Sequence, residues 1–299
     1  ARAYAAVLDD LEVGYTVVGR GKRSAAAFTS ATGRAVRVGG VESALREVGP
    51  PSLAIVAVSV DQLSDTAGAL LDTGVSRILL EKPGGLESAE LVAIRERAGS
   101  AEVSIAYNRR HYASTGEARR LIVRDGGVTS FAFELTEWPH ASEPVQVAPA
   151  VRRRWFLAQT SHVVDLAFHL GGRPVDWSCH SSGALDWHAG AARFSGSGLT
   201  DSGATFGYHG DWEAPGRWSV EFLTRSHRFV FRPLEELRVV ALGTHEQAVV
   251  ELDDRLDRSF KPGVYCETGA FLDGGDPLAC SLDEQIENMA VYETMAGYR

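Results

Sequence analysis

Ser76-Arg77-Ile78-Leu79-Leu80-Glu81-Lys82-Pro83 is an apolar run that ends abruptly on an acid, a lysine and a proline. Upstream of it, Leu53-Ala54-Ile55-Val56-Ala57-Val58 is apolar on both faces, as a parallel strand must be when helices cover both sides of its sheet. Around these two runs the chain alternates. Tyr4, Val7, Leu8 and Leu11 recur at helical spacing, residues 13–18 read as a strand, a helix starts at Ser24, a short strand lies near 35–38, and another helix opens near Val41. Helix 61–73, closed by Gly74, leads into the quoted run, and a helix near 86–98 with a strand at 103–106 completes the series. Strand and helix units in this order predict an α/β domain built on a Rossmann-type, doubly wound parallel sheet. In that architecture ligands bind beyond the carboxyl ends of the strands, so Lys82 is delivered to the mouth of the sheet. The competing reading is a solvated lysine at a strand end, neutralised by Glu81.

The rhythm changes after Tyr107, which divides the chain into a first domain over 1–106 and a second over 107–299. A helix near 114–124 stops at Asp125-Gly126-Gly127, and a strand follows at 129–136. Residues 139–149 hold three prolines and no periodicity, and read as a loop. Thr160-Ser161 and Gly171-Gly172 bracket a helix over 161–170. Alternating segments between glycine-rich turns fill 176–252, among them Trp218-Ser219-Val220-Glu221-Phe222 and His227-Arg228-Phe229-Val230-Phe231. They predict an α+β domain with a large, open, mostly antiparallel sheet. Ser281 and Glu284 form a capping box for a last helix over 282–298, expected to pack back on the first domain. An open sheet needs its outer face covered. Trp218, Val220, Phe229 and Phe231 are expected to supply that surface in a homodimer or homotetramer.

At 299 residues and 44% hydrophobic content the chain can bury two cores of ordinary size. A net charge of -9, with acids and bases interspersed, gives no footprint for nucleic acid or an anionic membrane. Small molecules and further copies of the chain are the expected partners. No apolar stretch has the length of a membrane span, and the first residues lack the regions of a signal peptide. Cys179, Cys266 and Cys280 are odd in number, far apart and out of metal-ligand spacing. That argues against a disulfide framework or a metal site, and for a reducing cytoplasm.

The ordered set of strand, Glu81-Lys82-Pro83, strand, Tyr107-Asn108-Arg109-Arg110 and Ser161-His162-Val163-Val164-Asp165 resembles the Gfo/Idh/MocA family of sugar and cyclitol oxidoreductases over nearly the whole chain. The resemblance implies a first domain that binds NAD or NADP and a second that lays an open sheet beside the nicotinamide. It places Lys82 near the substrate hydroxyl, assisting proton transfer, with a cis peptide before Pro83. His162 and Asp165 match the last two positions of the family pattern Asp-x-Gly-x-His-x-x-Asp, but Ala158 stands where the first acid belongs and Thr160 where the glycine does. Either His162 takes the proton role with Lys82, or Gln159, Thr160 or Ser161 supplies hydrogen bonds to substrate. Glu81, Lys82, Asn108 and Arg110 enter the expected cofactor set, and Asp165, Arg154 and Trp155 the substrate set. Trp138 and His140 lie in the flanking loop. Oxidising a secondary alcohol requires a hydride acceptor and a group that removes the hydroxyl proton. A lysine can be that group where burial and neighbouring cations lower its pKa.

No G-x-G-x-x-G follows a first strand, and the chain opens inside what should be the helix after that loop. Residues preceding Ala1 are therefore expected in the native gene. After Val18, where NAD readers place an acid for the ribose 2′-hydroxyl, stand Gly19-Arg20-Gly21-Lys22-Arg23-Ser24. Three cations and a serine suit a 2′-phosphate, so NADP is expected over NAD. The alternative is an ordinary basic helix start, although cations there oppose the macrodipole. Ser59 and Val60 are expected to border the nicotinamide. The activity expected is hydride transfer between nicotinamide and a sugar, sugar-nucleotide or cyclitol-like alcohol or ketone. A redox-neutral glycosidase, lyase or epimerase with a tightly held cofactor is one alternative, and a non-catalytic dinucleotide-binding protein is another.

Overall fold

The computed structural model describes residues 1–137 and 147–298; Trp138, His140 and most of the expected loop over 139–149 lie outside them. The chain divides into two compact units, residues 1–108 with 255–286 and residues 109–254 with 287–299. The expected boundary is close to the first crossing point. Residues 255–286, read from the sequence as second-domain chain, instead return to the first unit.

In the first unit β1 (Val17–Gly19) and β2 (Val36–Val38) form one parallel pair. Separately, β3 (Leu53–Val56), β4 (Arg77–Glu81) and β5 (Glu102–Ala106) run parallel. The two-residue strand Cys280–Ser281 closes the far edge by pairing antiparallel with β5, which is why this late segment belongs here. The apolar run Ile78-Leu79-Leu80 within β4 follows from its two covered faces. Leu79 packs with Ala106 against Tyr4 and Val7 of the helix Arg2–Asp10 and against Val264 and Phe271 of the helix Val264–Asp273. On the opposite face Leu80 and Ile105 meet Leu91 around Gly84, whose φ is +87° and where a Cβ would lie 2.8 Å from Leu91 Cδ2 and 2.9 Å from Ile105 Cδ1. Full burial of each of these aliphatic side chains contributes about 1.5–3 kcal/mol. The final helix, Leu282–Ala296, begins in this unit, where Glu284 N–H donates to Ser281 Oγ and Gln285 Nε2 donates to the Pro83 carbonyl at 2.9 Å.

The second unit holds an eight-stranded sheet. Its strands are β6 (Ser130–Glu134), β7 (Pro174–Ser182), β8 (Arg193–Thr200), β9 (Thr205–Asp211), β10 (Ser219–Leu223), β11 (His227–Phe231), β12 (Arg238–Ala241) and β13 (Ala248–Val249). Their spatial order is β13-β12-β11-β10-β6-β9-β8-β7. Every neighbouring pair is antiparallel except β6 with β9. One face is aromatic, and the helix Ser161–Gly171 lies against it. Phe168 of that helix sets its ring edge-on to Phe131, Phe133 and Phe206 at centroid distances of 6.0, 5.6 and 5.2 Å. This corrects the placement of three residues expected on an association surface: Val220, Phe229 and Phe231 are 0% exposed, buried in the core. Polar pairs such as Glu221 with Arg228 occupy the other face, at 3.5 Å and half exposed.

Candidate functional site

In the first unit Lys82 follows β4 directly and is half-buried, and the Lys82–Pro83 peptide is cis, as the resemblance implies. The chain then turns through Gly84 into the helix Ser88–Ala98, where a capping box between Glu87 and Glu90 fixes the first turn. Glu90 Oε2 accepts from the backbone N–H of Leu86 at 2.5 Å and of Glu87 at 3.2 Å, so the segment behind Lys82 is tied down on its own backbone. Glu81, placed in the cofactor set from sequence, accepts a hydrogen bond from the Tyr4 phenol at 3.1 Å. Asn108, from the same set, is 3% exposed and donates to the Pro262 carbonyl at 2.8 Å.

The cationic segment is open to solvent. Arg20, Lys22 and Arg23 are all exposed, and the helix Lys22–Thr32 begins with Gly21 as its N-cap and no side-chain cap. The aliphatic stem of Arg20 runs beside Gly40, where a Cβ would approach Arg20 Cγ at 3.2 Å. The first N–H groups of this helix thus have no side-chain cap, in a segment that carries three exposed cations. Ser59 is exposed and opens the short 3₁₀ turn Val60–Gln62 at the end of β3.

In the second unit the sequence candidates cluster on one continuous helical stretch. A π-turn, Phe156–Thr160, runs directly into the helix Ser161–Gly171, and such turns accompany functional sites more often than ordinary helix does. Wider winding lets residues five apart share a side. Glu137 uses this, accepting from Trp155 Nε1 at 3.1 Å and from Thr160 Oγ1 at 2.5 Å. Tyr298 receives the Phe156 backbone N–H at 3.1 Å, and Arg154 stacks 4.6 Å from its ring centroid. Burial pushes the Tyr298 phenol well above its ordinary range, while the Phe156 hydrogen bond and Arg154 pull it down. Ser161 Oγ donates back to the Leu157 carbonyl at 2.7 Å. Ala158, at the place of the missing acid, is 4% exposed.

His162 is 8% exposed. Its ring centre lies 6.5 Å from that of Trp218, and the Arg109 guanidinium stands 5.2 Å from the same indole. Asp165 takes Arg110 in a two-point grip, with Nε donating to Oδ2 at 2.9 Å and Nη2 to Oδ1 at 2.5 Å, both side chains almost wholly buried. Arg110 and Asp165, assigned to cofactor and substrate from sequence, thus hold each other and anchor the helix that presents His162. Sequence reasoning missed Glu137, Arg109 and Tyr298 as part of this constellation. Trp218, expected on an association surface, instead stands between His162 and Arg109. The one usable signal is the Arg109-Arg110 doublet.

No protein-family profile and no curated protein matches the chain. Solved structures do. A levoglucosan dehydrogenase in complex with NADH and L-sorbose superposes with a TM-score of 0.78 at 16% identity, covering 99% of this chain and 91% of that one. The UDP-N-acetylglucosamine 3-dehydrogenase of Acidithiobacillus ferrooxidans gives 0.77 at 15% identity, over 99% and 93%. A putative myo-inositol dehydrogenase from Sinorhizobium meliloti 1021 gives 0.74 at 18% identity, over 100% and 94%. The fold is therefore the two-part architecture that the family resemblance implies.

Proposed function

We propose that the chain is a nicotinamide-dependent oxidoreductase acting on a sugar, sugar-nucleotide or cyclitol-like alcohol or ketone. The observation that carries the reading is Lys82 directly after the carboxyl end of β4, the middle strand of a parallel run, the position at which an α/β sheet meets its ligands. Support comes from solved structures of the same fold, whose names describe sugar, sugar-nucleotide and inositol dehydrogenases.

The nicotinamide, when bound, supplies hydride acceptance or donation. This chain's part is to bind and to handle the proton. Arg20, Lys22, Arg23 and the uncapped helix start hold a phosphate, and with no acid among them favour NADP over NAD. Lys82 Nζ takes the proton that the substrate hydroxyl gives up, and returns it in the reverse direction. His162 binds substrate, its ring set by the helix that Arg110 and Asp165 anchor. Thr160, Ser161, Trp155 and Arg154 shape the same stretch.

The test is a screen of sugars and cyclitols followed by nicotinamide absorbance, with two variants. Lys82→Met should keep cofactor affinity while lowering turnover roughly 10²-fold or more, the scale of general acid–base catalysis. NADPH should bind more tightly than NADH by about 1.5–3 kcal/mol, and Arg20→Ala should erase much of the difference. Turnover without net absorbance change would point to the redox-neutral alternative. Normal turnover in Lys82→Met would remove the lysine from the chemistry, and equal affinities would remove the NADP assignment.

A further inference from the structure

The turn that carries Lys82 has one carbonyl that its own neighbours do not satisfy. The Gly84 N–H closes the turn onto the Glu81 carbonyl at 3.0 Å, and the N–H groups of Leu86 and Glu87 are spent on Glu90 Oε2. Pro83 is buried and has no N–H of its own. A buried carbonyl without a donor is costly. The donor that reaches the Pro83 oxygen is Gln285 Nε2, at 2.9 Å, from 202 positions along the chain.

Gln285 lies in the first turn of the helix Leu282–Ala296 and is 0% exposed. Its Nε2 also donates to the Tyr107 hydroxyl at 3.1 Å, and the Cys280 thiol faces its Oε1 at 3.7 Å. Chemistry fixes which way the amide points. The Pro83 carbonyl can only accept, so the amide nitrogen must face it and the amide oxygen must turn away. Tyr107 is 1% exposed and follows β5 directly, as Lys82 follows β4. Glu81 and Ala106, the last residues of those two strands, are paired in register. One neutral side chain therefore ties together the ends of two neighbouring parallel strands, and it brings no charge to the lysine. All of these residues belong to the first unit.

We propose that Gln285 is a positioning residue for Lys82: by holding the Pro83 carbonyl to the Tyr107 hydroxyl, it fixes the course on which Lys82 leaves β4 and the place from which its Nζ reaches substrate. The backbone is then held on both sides of the lysine, by the β4–β5 ladder before it and by the amide after it. A lysine stem is flexible, so a fixed root narrows the region that the amine samples. A misplacement of about 1 Å at a reacting group costs on the order of 10²-fold in rate. This role rests on Lys82 being the proton-handling group proposed above.

The experiment is carbon NMR of the intact chain with its lysines, Lys22, Lys82 and Lys261, dimethylated from carbon-13 formaldehyde. Lys82→Met assigns the resonance of interest. Gln285→Met keeps the side-chain length and removes the amide, so the Lys82 resonance should leave its wild-type position while that of Lys22 stays. In the unmodified protein the same variant should lower kcat roughly tenfold or more, with the KM for the nicotinamide cofactor within about twofold of wild type. A role confined to stability would lower the urea midpoint and leave both readings unchanged per folded molecule. An unmoved Lys82 resonance overturns the proposal, and so does a kcat within about twofold of wild type. If Gln285→Met does not fold, Tyr107→Phe replaces it, because the amide then loses its second anchor: a smaller movement of the same resonance supports the clamp, and none overturns it. Should the wild type turn over no sugar or cyclitol, the oxidoreductase reading fails, and the resonance alone decides whether Gln285 sets Lys82.

Discussion

Asp165 and Glu267 are both withdrawn from water, 1% and 3% exposed, and they are accommodated by opposite means. Asp165 meets a guanidinium, itself 3% exposed, along two parallel hydrogen bonds. Glu267 Oε2 has no hydrogen-bond partner among the described residues. A buried charge is tolerable when a matched charge cancels most of its field; otherwise the group gives the charge up. The second unit retains its acid by pairing and uses the pair as an anchor. The first unit leaves its acid without such a pair, and burial above all pushes that carboxyl above its ordinary range.

The sharpest way to break this contrast is to take away the countercharge. Arg110→Met should destabilise the chain by about 3–5 kcal/mol, because Asp165 loses its guanidinium in a dry site. Arg110→Met with Asp165→Leu should recover most of that loss in urea unfolding. A single variant that loses under about 1 kcal/mol would put Asp165 in the same class as Glu267.

A middle case is Glu137, whose carboxylate accepts from two neutral donors. Glu137→Leu leaves the Trp155 and Thr160 donors without that acceptor and should cost about 1–3 kcal/mol, with a change in tryptophan emission. Glu137→Gln keeps one acceptor oxygen and should cost less. Equal costs in the two variants would show that charge matters more than the number of acceptors.

The smallest effect concerns Asp125, which accepts from Thr224 Oγ1 at 2.8 Å and pairs with His227 Nδ1 at 2.6 Å. Burial pushes this carboxyl up, but the hydrogen bonds from His227 and Thr224 more than offset it, and the group lies below its ordinary range. Its folded pKa is thus depressed, so its stabilisation is present above the unfolded value of about 3.9 and is lost as pH falls through the folded one. Asp125→Asn should remove about 1 kcal/mol at neutral pH and flatten the acid limb of the stability curve. A limb unchanged by the substitution would exclude Asp125 from acid unfolding.

Much of this architecture was legible because its signals are local. Leu53 to Val58 and Ile78 to Leu80 are apolar without alternation, which only a twice-covered strand explains, and Ser281 with Glu284 marks a helix start. Non-local features were not legible. Arg110 and Asp165 are far apart in sequence, and nothing in either neighbourhood names the other. The π-turn is hidden in Phe156-Leu157-Ala158, where continuous apolarity erases any period. Alternation along β10 and β11 showed that one face is apolar, but it could not say that the chain's own helix Ser161–Gly171 would cover that face. Glu267 did leave a trace, an acid at the third step of a stripe from Val264 to Phe271, but without the packing it reads as a solvated side chain.

The strand Cys280–Ser281 imposes an order of events. It closes the β5 edge, and the helix just before it fills the core around Tyr4, Val7 and Leu79. Both belong to residues 255–286, so the sheet begun by residues 1–108 cannot be finished until residues 109–254 have been made. At synthesis rates of about 5–20 residues per second, that leaves an apolar face and an open strand edge bare for on the order of ten seconds on the ribosome. A chaperone or a neighbouring nascent chain has that interval in which to engage it.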